Sequence, residues 1–137
     1  MRVIVDTNVV LDVLLARQPF VDVAGRLFAR IETSQIEGLL CATTFTTIDY
    51  LLTQSLPPRE SRETLRRLLG LFEIAPVNRL VVEEALRSRV SDFEDAVIEQ
   101  AGRLAGADMI VTRNLRDFRK SSIKAFGPDE LLASLGA

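Results

Sequence analysis

The sequence contains no histidine, and this absence removes several kinds of active site from consideration. Ser-His-Asp triads, Cys-His pairs, ribonucleases with histidine acid–base catalysis and zinc sites with histidine ligands all require that side chain. An enzyme built from this chain must therefore use carboxylates, hydroxyls, lysine, arginine or a bound ion.

The sequence also has only one cysteine, Cys41. A single thiol cannot form an internal disulfide, and one thiol alone is not a metal site. Because Cys41 lies in the apolar segment 39–42, we predict a buried strand residue without a chemical role.

Long hydrophobic runs are missing as well, since no stretch of about 18 uncharged apolar residues predicts a membrane-spanning helix. The N-terminus enters a strand pattern directly and lacks the features of a cleavable signal, so we expect a cytoplasmic protein without a membrane partner. The formal net charge of −2 argues against a general basic surface that coats nucleic acid. A metal-dependent nuclease escapes that objection, because part of its acidity belongs to the metal site.

What is present is the composition of an ordinary globular domain: 137 residues, 47% hydrophobic and 26% charged. Strand and helix patterns alternate along the chain without repeats or long linkers, which predicts one α/β domain over residues 1–137, a parallel sheet with helices on both faces. The predicted strands are 3–5, 38–42, 72–76, 109–111 and, more weakly, 124–126. The predicted helices are 9–16, 21–31, 45–54, 59–69, 80–87, 93–105 and 128–135.

Several residues are expected to bound these helices. Thr43 or Thr44, Asn78, and Ser91 or Asp92 have side chains suited to cap a helix N-terminus. Gly70 is predicted to stop the helix at 59–69.

Carboxylates follow the predicted strands or open a neighbouring helix at three places. Asp6 comes directly after the first strand, Asp92 and Asp95 flank a helix start, and Asp117 follows the fourth strand. Ligands bind where the carboxyl ends of parallel strands meet. Clustered carboxylates repel one another, and Mg²⁺ or Mn²⁺ relieves that repulsion, lowers the pKa of a bound water and offsets charge on a phosphate. Metal-dependent phosphodiester hydrolysis is therefore the leading hypothesis.

Most of these residues also have a purely structural interpretation. Asp92 is a suitable N-cap, and Asn114 and Asp117 are residues favoured in turns. Asp95 fits that interpretation less well, because it directly precedes the apolar segment 96–98 and is predicted to point toward the sheet.

Three segments together, 3–8, 92–96 and 111–118, resemble the PIN-domain family of Mg²⁺/Mn²⁺-dependent ribonucleases, many of which are toxins of bacterial toxin–antitoxin modules. The resemblance implies a three-layer α/β/α sandwich whose central, mostly parallel sheet has four to five strands. It also implies an acidic active site, an RNA substrate, an antitoxin partner and frequent dimerisation.

The resemblance assigns roles to individual positions. Asp6 matches the first metal-binding acid, and Asp95 matches the acid that opens the long helix. Asn8 and Thr112 match polar residues that support the site.

The sequence departs from the family pattern at two positions. Asn114 stands where a fourth acid is common, so a charge is lost unless Asp117 or Asp92 contributes it. Thr47 stands where the family usually has a Glu. Asp49 is two residues further along the chain, about 200° around a helix, and is therefore a poor substitute for that Glu. These departures favour the alternative of a catalytically weak or inactive module that binds RNA or a protein partner.

A basic segment follows the fourth strand. Residues 113–124, which include Arg113 and Arg116, hold five basic residues and one acid, and they are predicted either to bind phosphates beside the scissile bond or to be plain surface. A second basic group at 59–67 shares its helix with Glu60 and Glu63 and is predicted to be a solvated face.

A phosphotransfer enzyme of the haloacid-dehalogenase type ranks last among the hypotheses. Asn8 stands where that class needs a second acid, and Lys120 and Lys124 are the only lysines.

Overall fold

The computed structural model describes residues 1–136. Its strands are β1 (Arg2–Val5), β2 (Glu37–Cys41), β3 (Glu73–Ala75), β4 (Met109–Val111) and β5 (Ala125–Phe126). Its helices are α1 (Thr7–Leu14), α2 (Val21–Glu32), α3 (Ala42–Leu52), α4 (Pro58–Leu71), α5 (Arg79–Leu86), α6 (Phe93–Leu104) and α7 (Pro128–Ser134), with a 3₁₀ turn at Leu115–Phe118. None of the helices within these residues is long and apolar enough to cross a membrane.

All five strands are parallel, in the order β3-β2-β1-β4-β5. The central strand β1 pairs Val3 with Gly38 of β2 on one side and with Met109 of β4 on the other. Consequently Asp6 emerges at the middle of the carboxyl edge of the sheet, where a parallel α/β sheet offers a ligand crevice.

Alternate residues of β1 face two separate hydrophobic cores. Val3 and Val5 pack with residues of α1, α2, α3, α4 and α7, whereas Ile4 packs with residues of α5 and α6. This period of two is the side-chain alternation of a strand that is buried on both faces. The three-layer α/β/α sandwich and the parallel sheet predicted from the sequence are confirmed.

The predicted helices all lie within three residues of the observed ones, but the residues predicted to bound two of them are wrong. The prediction that Thr43 or Thr44 caps α3 is wrong, because β2 runs straight into the helix with Cys41 as its N-cap residue. Thr44 instead lies inside the helix, where its buried hydroxyl contacts that of Thr7 at 3.1 Å. Gly70 does not stop α4, which continues to Leu71 and ends where the chain becomes extended.

Two predicted caps are confirmed. Asn78 Oδ1 accepts a hydrogen bond from the Val81 amide at 3.1 Å, and Asp92 Oδ2 accepts one from the Asp95 amide at 3.0 Å. Cys41 is fully buried, as predicted.

Candidate active site

Asp6 is the centre of the candidate site, and neutral donors hold its side chain in place. It is the N-cap residue of α1, with only 6% of its surface exposed. The Thr7 amide donates to Oδ1 at 2.8 Å, and the Thr112 hydroxyl donates to Oδ2 at 2.7 Å. Thr112 lies just after β4, the strand beside β1, so the sheet itself sets the distance between these two residues.

The environment makes the negative charge of Asp6 costly. Burial raises the pKa of this carboxyl, and the charges of Glu94 and Asp117 raise it further, while the hydrogen bonds from Thr112 and Thr7 act in the opposite direction. Among the described residues, no basic side chain forms an ion pair with Asp6.

Helix α6 brings a second group of acids to the same edge. Its approach to β1 is very close, because a Cβ on Gly102 would lie 2.7 Å from Ile4 Cγ2. The first turn of α6, with Asp92 as its cap, Glu94 and the half-buried Asp95, is thereby held at the carboxyl end of the sheet.

Asp95 responds most strongly to this crowding. Burial raises its pKa from the ordinary 3.8 to about 7, with further contributions from the charges of Asp6, Asp92, Asp117 and Glu94. Five carboxylates therefore share one electrostatic field, although they come from three separate parts of the chain. Strongly perturbed acids in a strand-end crevice are a feature of functional sites.

Glu94 is a site residue that the sequence analysis missed. Its Oε1 accepts a hydrogen bond from the hydroxyl of Thr47 at 3.3 Å, so an acid of α6 meets the position on α3 where the family resemblance led us to expect a Glu. The signal was available, because Glu94 lies next to Asp95 in the first turn of a helix. Asp49 does not compensate, since its Oδ1 accepts from the buried Ser61 hydroxyl at 2.7 Å.

The segment after β4 contributes through Asp117 and through its backbone. Asp117 lies in the exposed 3₁₀ turn, and its charge raises the pKa of both Asp6 and Asp95. The backbone amide of Asn114 donates to Thr112 Oγ1 at 3.0 Å, which orients that hydroxyl toward Asp6. In the structure Asn114 therefore supports the site through its main chain.

The donor set suits a divalent cation. In the described part of the chain, no group of three or more acidic or cysteine side chains is arranged so that it could hold a metal ion. However, oxygen donors are those that Mg²⁺ and Mn²⁺ prefer, and a cation would relieve the repulsion that raises the pKa of Asp6 and Asp95. Asn8, two residues after Asp6, also has a buried Oδ1 with no hydrogen-bond partner among residues 1–136.

The two predicted substrate residues lie in different surroundings. The guanidinium of Arg113 binds the buried Asp12, with Nε 2.6 Å from Oδ2 and Nη2 3.1 Å from Oδ1, and it stacks 3.9 Å from the centre of the Phe20 ring. Arg116 is exposed and lines a groove together with Asp117.

The comparisons agree with this architecture. A family model described as a PIN domain matches residues 2–116. That match covers well over half of the sequence, so the chain belongs to the PIN-domain family. None of the curated protein sequences is similar enough to this one to count as a match.

Several solved structures share the fold. VapBC-1 from nontypeable Haemophilus influenzae has a TM-score of 0.71 at 13% identity, covering 94% of this chain and 99% of its own. FitAcB from Neisseria gonorrhoeae has a TM-score of 0.70 at 18% identity, with 92% and 97% covered. VapBC2 from Rickettsia felis, bound to a promoter DNA fragment, has 0.68 at 14% identity, with 93% and 98% covered. At such low identity the similarity shows the fold.

Proposed function

We propose that this chain is a Mg²⁺- or Mn²⁺-dependent endoribonuclease that hydrolyses phosphodiester bonds in RNA, and that it is the toxin of a type II toxin–antitoxin pair. One observation carries the proposal: five carboxylates lie close enough together for their charges to raise the pKa of Asp6 and Asp95. They are Asp6, Asp92, Glu94, Asp95 and Asp117. Within residues 1–136, no basic side chain forms an ion pair with any of the five. Membership of the PIN-domain family supports the same chemistry.

The chain supplies binding and orientation to this reaction. Asp6 and Asp95 would hold the ion, and Asp92, Glu94 or Asp117 would complete its ligands. Each Asp6 oxygen accepts one hydrogen bond, from Thr7 or Thr112, and keeps a lone pair for a cation. A divalent ion in such a site lowers the pKa of water and offsets the charge that develops on phosphorus.

Arg116 and Arg113 are proposed to contact RNA phosphates beside the scissile bond. Arg116 is free to do so, because it is exposed and forms no ion pair among the described residues. Arg113 would have to use Nη1 or the second N–H of Nη2, since the Nε–H and one N–H of Nη2 already bind Asp12. We expect Arg116→Ala to weaken RNA binding while Mn²⁺ affinity stays unchanged; unchanged RNA affinity would remove Arg116 from the proposal.

An antitoxin partner, a homodimer and a cytoplasmic location belong to the same proposal. Neighbours with this fold include a toxin–antitoxin complex from Klebsiella pneumoniae. Large apolar side chains such as Leu86, 71% exposed, and Tyr50, 67% exposed, are available for protein contacts. Light scattering of the purified chain tests the dimer, and co-purification with the product of an adjacent small gene tests the antitoxin.

A non-enzymatic module that binds RNA or a partner is the second candidate. Two observations favour it: Thr47 replaces the Glu expected from the resemblance, and no group of ligands has converged in the described residues. Under this hypothesis the acidic centre is a remnant that binds metal weakly.

Cleavage of single-stranded RNA oligonucleotides with Mn²⁺ separates the two candidates. The comparison is wild type against Asp6→Asn, each with and without EDTA. We expect cutting by wild type alone, and only with the ion present. A well-folded wild type that neither cuts nor gains thermal stability from Mn²⁺ would favour the binding module.

A further inference from the structure

Two adjoining grooves beside the acidic centre each have four basic residues in their lining. The smaller, about 140 Å³, is lined by Arg116 and Arg119 with Asp117, and the larger, about 560 Å³, extends over α5 and α6. Both grooves include Arg89 and Lys120, so they are continuous. We call the six basic residues of these grooves the basic track: Arg87, Arg89, Arg103, Arg116, Arg119 and Lys120.

The basic track concentrates positive charge on a chain whose net charge is −2. Its six basic residues are accompanied by three acids, Glu84, Glu99 and Asp117. Within residues 1–136, four of the six are exposed and form no ion pair, while Arg87 and Arg103 share Glu84 at 3.5 and 3.9 Å. Most of this charge is therefore available to an anionic ligand.

Glu99 has a structural role in the wall of the larger groove. It is 1% exposed, and its two oxygens accept from the Ser88 hydroxyl at 2.5 Å and from the Ser122 amide at 2.6 Å. Burial alone would raise its pKa, but these hydrogen bonds outweigh that effect and lower it. Glu99 thus ties α6 to the segments that carry Arg89 and Lys120, with its charge satisfied inside the protein.

The chemistry of the lining indicates which part of a nucleic acid it recognises. Among residues 1–136, no aromatic side chain lines either groove, so these residues offer no base stacking of the kind seen on single-strand binding platforms. Guanidinium, ammonium and serine hydroxyl groups are donors suited to phosphate oxygens. A surface of this composition holds a backbone without reading its sequence.

We propose that the basic track holds the phosphate backbone of the RNA strand on one side of the scissile bond. The smaller groove adjoins the acidic centre, because Asp117 and Ser91 line it and Ser91 directly precedes Asp92, the cap of α6. The basic track therefore begins beside the first turn of α6. The inference rests on the proposed function for the identity of the strand, but it adds Arg87, Arg89 and Arg103, which lie outside the basic segment 113–124.

The chain provides a matched control for this proposal. The track variant is Arg89→Ala, Arg119→Ala and Lys120→Ala, and the control variant is Arg59→Ala, Arg62→Ala and Arg67→Ala on α4. All six side chains are exposed and without ion pairs in the described residues, so the two variants lose equal charge. Matching circular dichroism spectra and melting temperatures would show that both fold like the wild type.

Binding of a fluorescein-labelled single-stranded RNA is measured by anisotropy across a salt series, without divalent ions. We expect the track variant to bind about tenfold or more weakly at low salt, with a log–log salt slope shallower by about 2, since each lost phosphate contact on a single strand removes about 0.7. The control variant should keep the wild-type slope.

Equal losses in the two variants, or no loss in either, would overturn the basic track. Cutting of the same RNA by wild type with Mn²⁺ is measured separately. If wild type cuts the RNA but the two variants lose equal RNA affinity, the nuclease proposal is supported and the basic track is overturned. A selective loss in the track variant without any cutting would support the track as a binding surface and overturn the nuclease.

Discussion

Asp6 and Asp12 are both buried at the first helix, but among the described residues only Asp12 has basic side chains as partners. Asp12, 1% exposed, is neutralised by two contacts with Arg113 and by Arg17 Nη1 at 3.8 Å. Within residues 1–136, Asp6, 6% exposed, receives hydrogen bonds only from Thr7 and Thr112. The charges of Glu94 and Asp117 add to the effect of burial and raise its pKa.

The contrast distinguishes a structural carboxylate from one suited to a ligand. A buried ion pair satisfies its own charge, and removing one partner leaves the other without compensation. A buried carboxylate without a positive partner has an unpaired negative charge, and a bound cation can neutralise that charge. Burial alone therefore does not identify a functional acid, and the missing counter-charge around Asp6 is the more informative feature.

The largest expected effect comes from removing the charge of Asp6. Asn keeps the shape of the side chain and can still accept from the Thr7 amide, so we expect a near-normal fold. Cleavage of RNA should fall by about 10³-fold, the upper range for losing one preorganised electrostatic group, and Mn²⁺ should no longer raise the melting temperature. Asp22→Asn, at an exposed acid of α2, is the control. Cutting at the wild-type rate by Asp6→Asn would contradict a catalytic role for Asp6.

Asp12→Asn should act on stability instead. It leaves the half-buried Arg113 without its carboxylate partner, and we expect a loss of about 3 kcal/mol in the free energy of unfolding. Urea denaturation measures it, with Mn²⁺ affinity followed on the fraction that remains folded. A loss below about 1 kcal/mol would contradict a structural role for the ion pair, and a selective loss of metal binding would show that Asp12 belongs to the active site.

Asp95→Asn should change the pH dependence of stability. The folded pKa of about 7 lies above the ordinary 3.8, so between about pH 4 and 7 the folded chain binds more protons than the unfolded chain. Wild-type stability therefore falls as the pH rises through that window, and this part of the slope disappears in the variant. We expect the variant to melt about 3 °C or more above wild type near pH 8 and at the same temperature near pH 4.

Thermal unfolding in EDTA at several pH values measures this difference. If the melting temperatures of the two proteins change in parallel with pH, then burial and the neighbouring acids do not raise the pKa of Asp95. Added Mn²⁺ should reverse the order near pH 8, because only wild type retains the carboxylate.

Glu94→Gln should produce the smallest effect. It removes one of the charges acting on Asp6 and Asp95 but keeps an acceptor for the Thr47 hydroxyl, so we expect Mn²⁺ affinity to fall by about tenfold with little change in stability. Titration calorimetry measures the affinity, with Glu32→Gln at the exposed end of α2 as the control. Equal affinities in the two variants would remove Glu94 from the site.

Much of the fold was predictable because local signals agreed with one another. Apolar strand patterns alternated with helical ones, and Asn78 and Asp92 are residues with a strong capping chemistry that acts within three positions. The predictions for Thr43, Thr44 and Gly70 failed because a tertiary contact or a continuing helix overrode the local preference. Thr44 meets Thr7 from another helix, and nothing near either residue in sequence shows that contact.

The sequence by itself determined the chemistry available to this protein. It supplied acids and no histidine, an alternating α/β pattern, and the position of Asp6 directly after the first strand. Only the tertiary structure decided which charges meet, because Coulomb forces depend on distance in space and not on separation along the chain. It joined Arg113 to Asp12, 101 residues away, and Glu94 to Thr47, 47 residues away. Packing of α6 against β1 thereby left Asp6 among acids, without an ion-pair partner in the part of the chain that the structure describes.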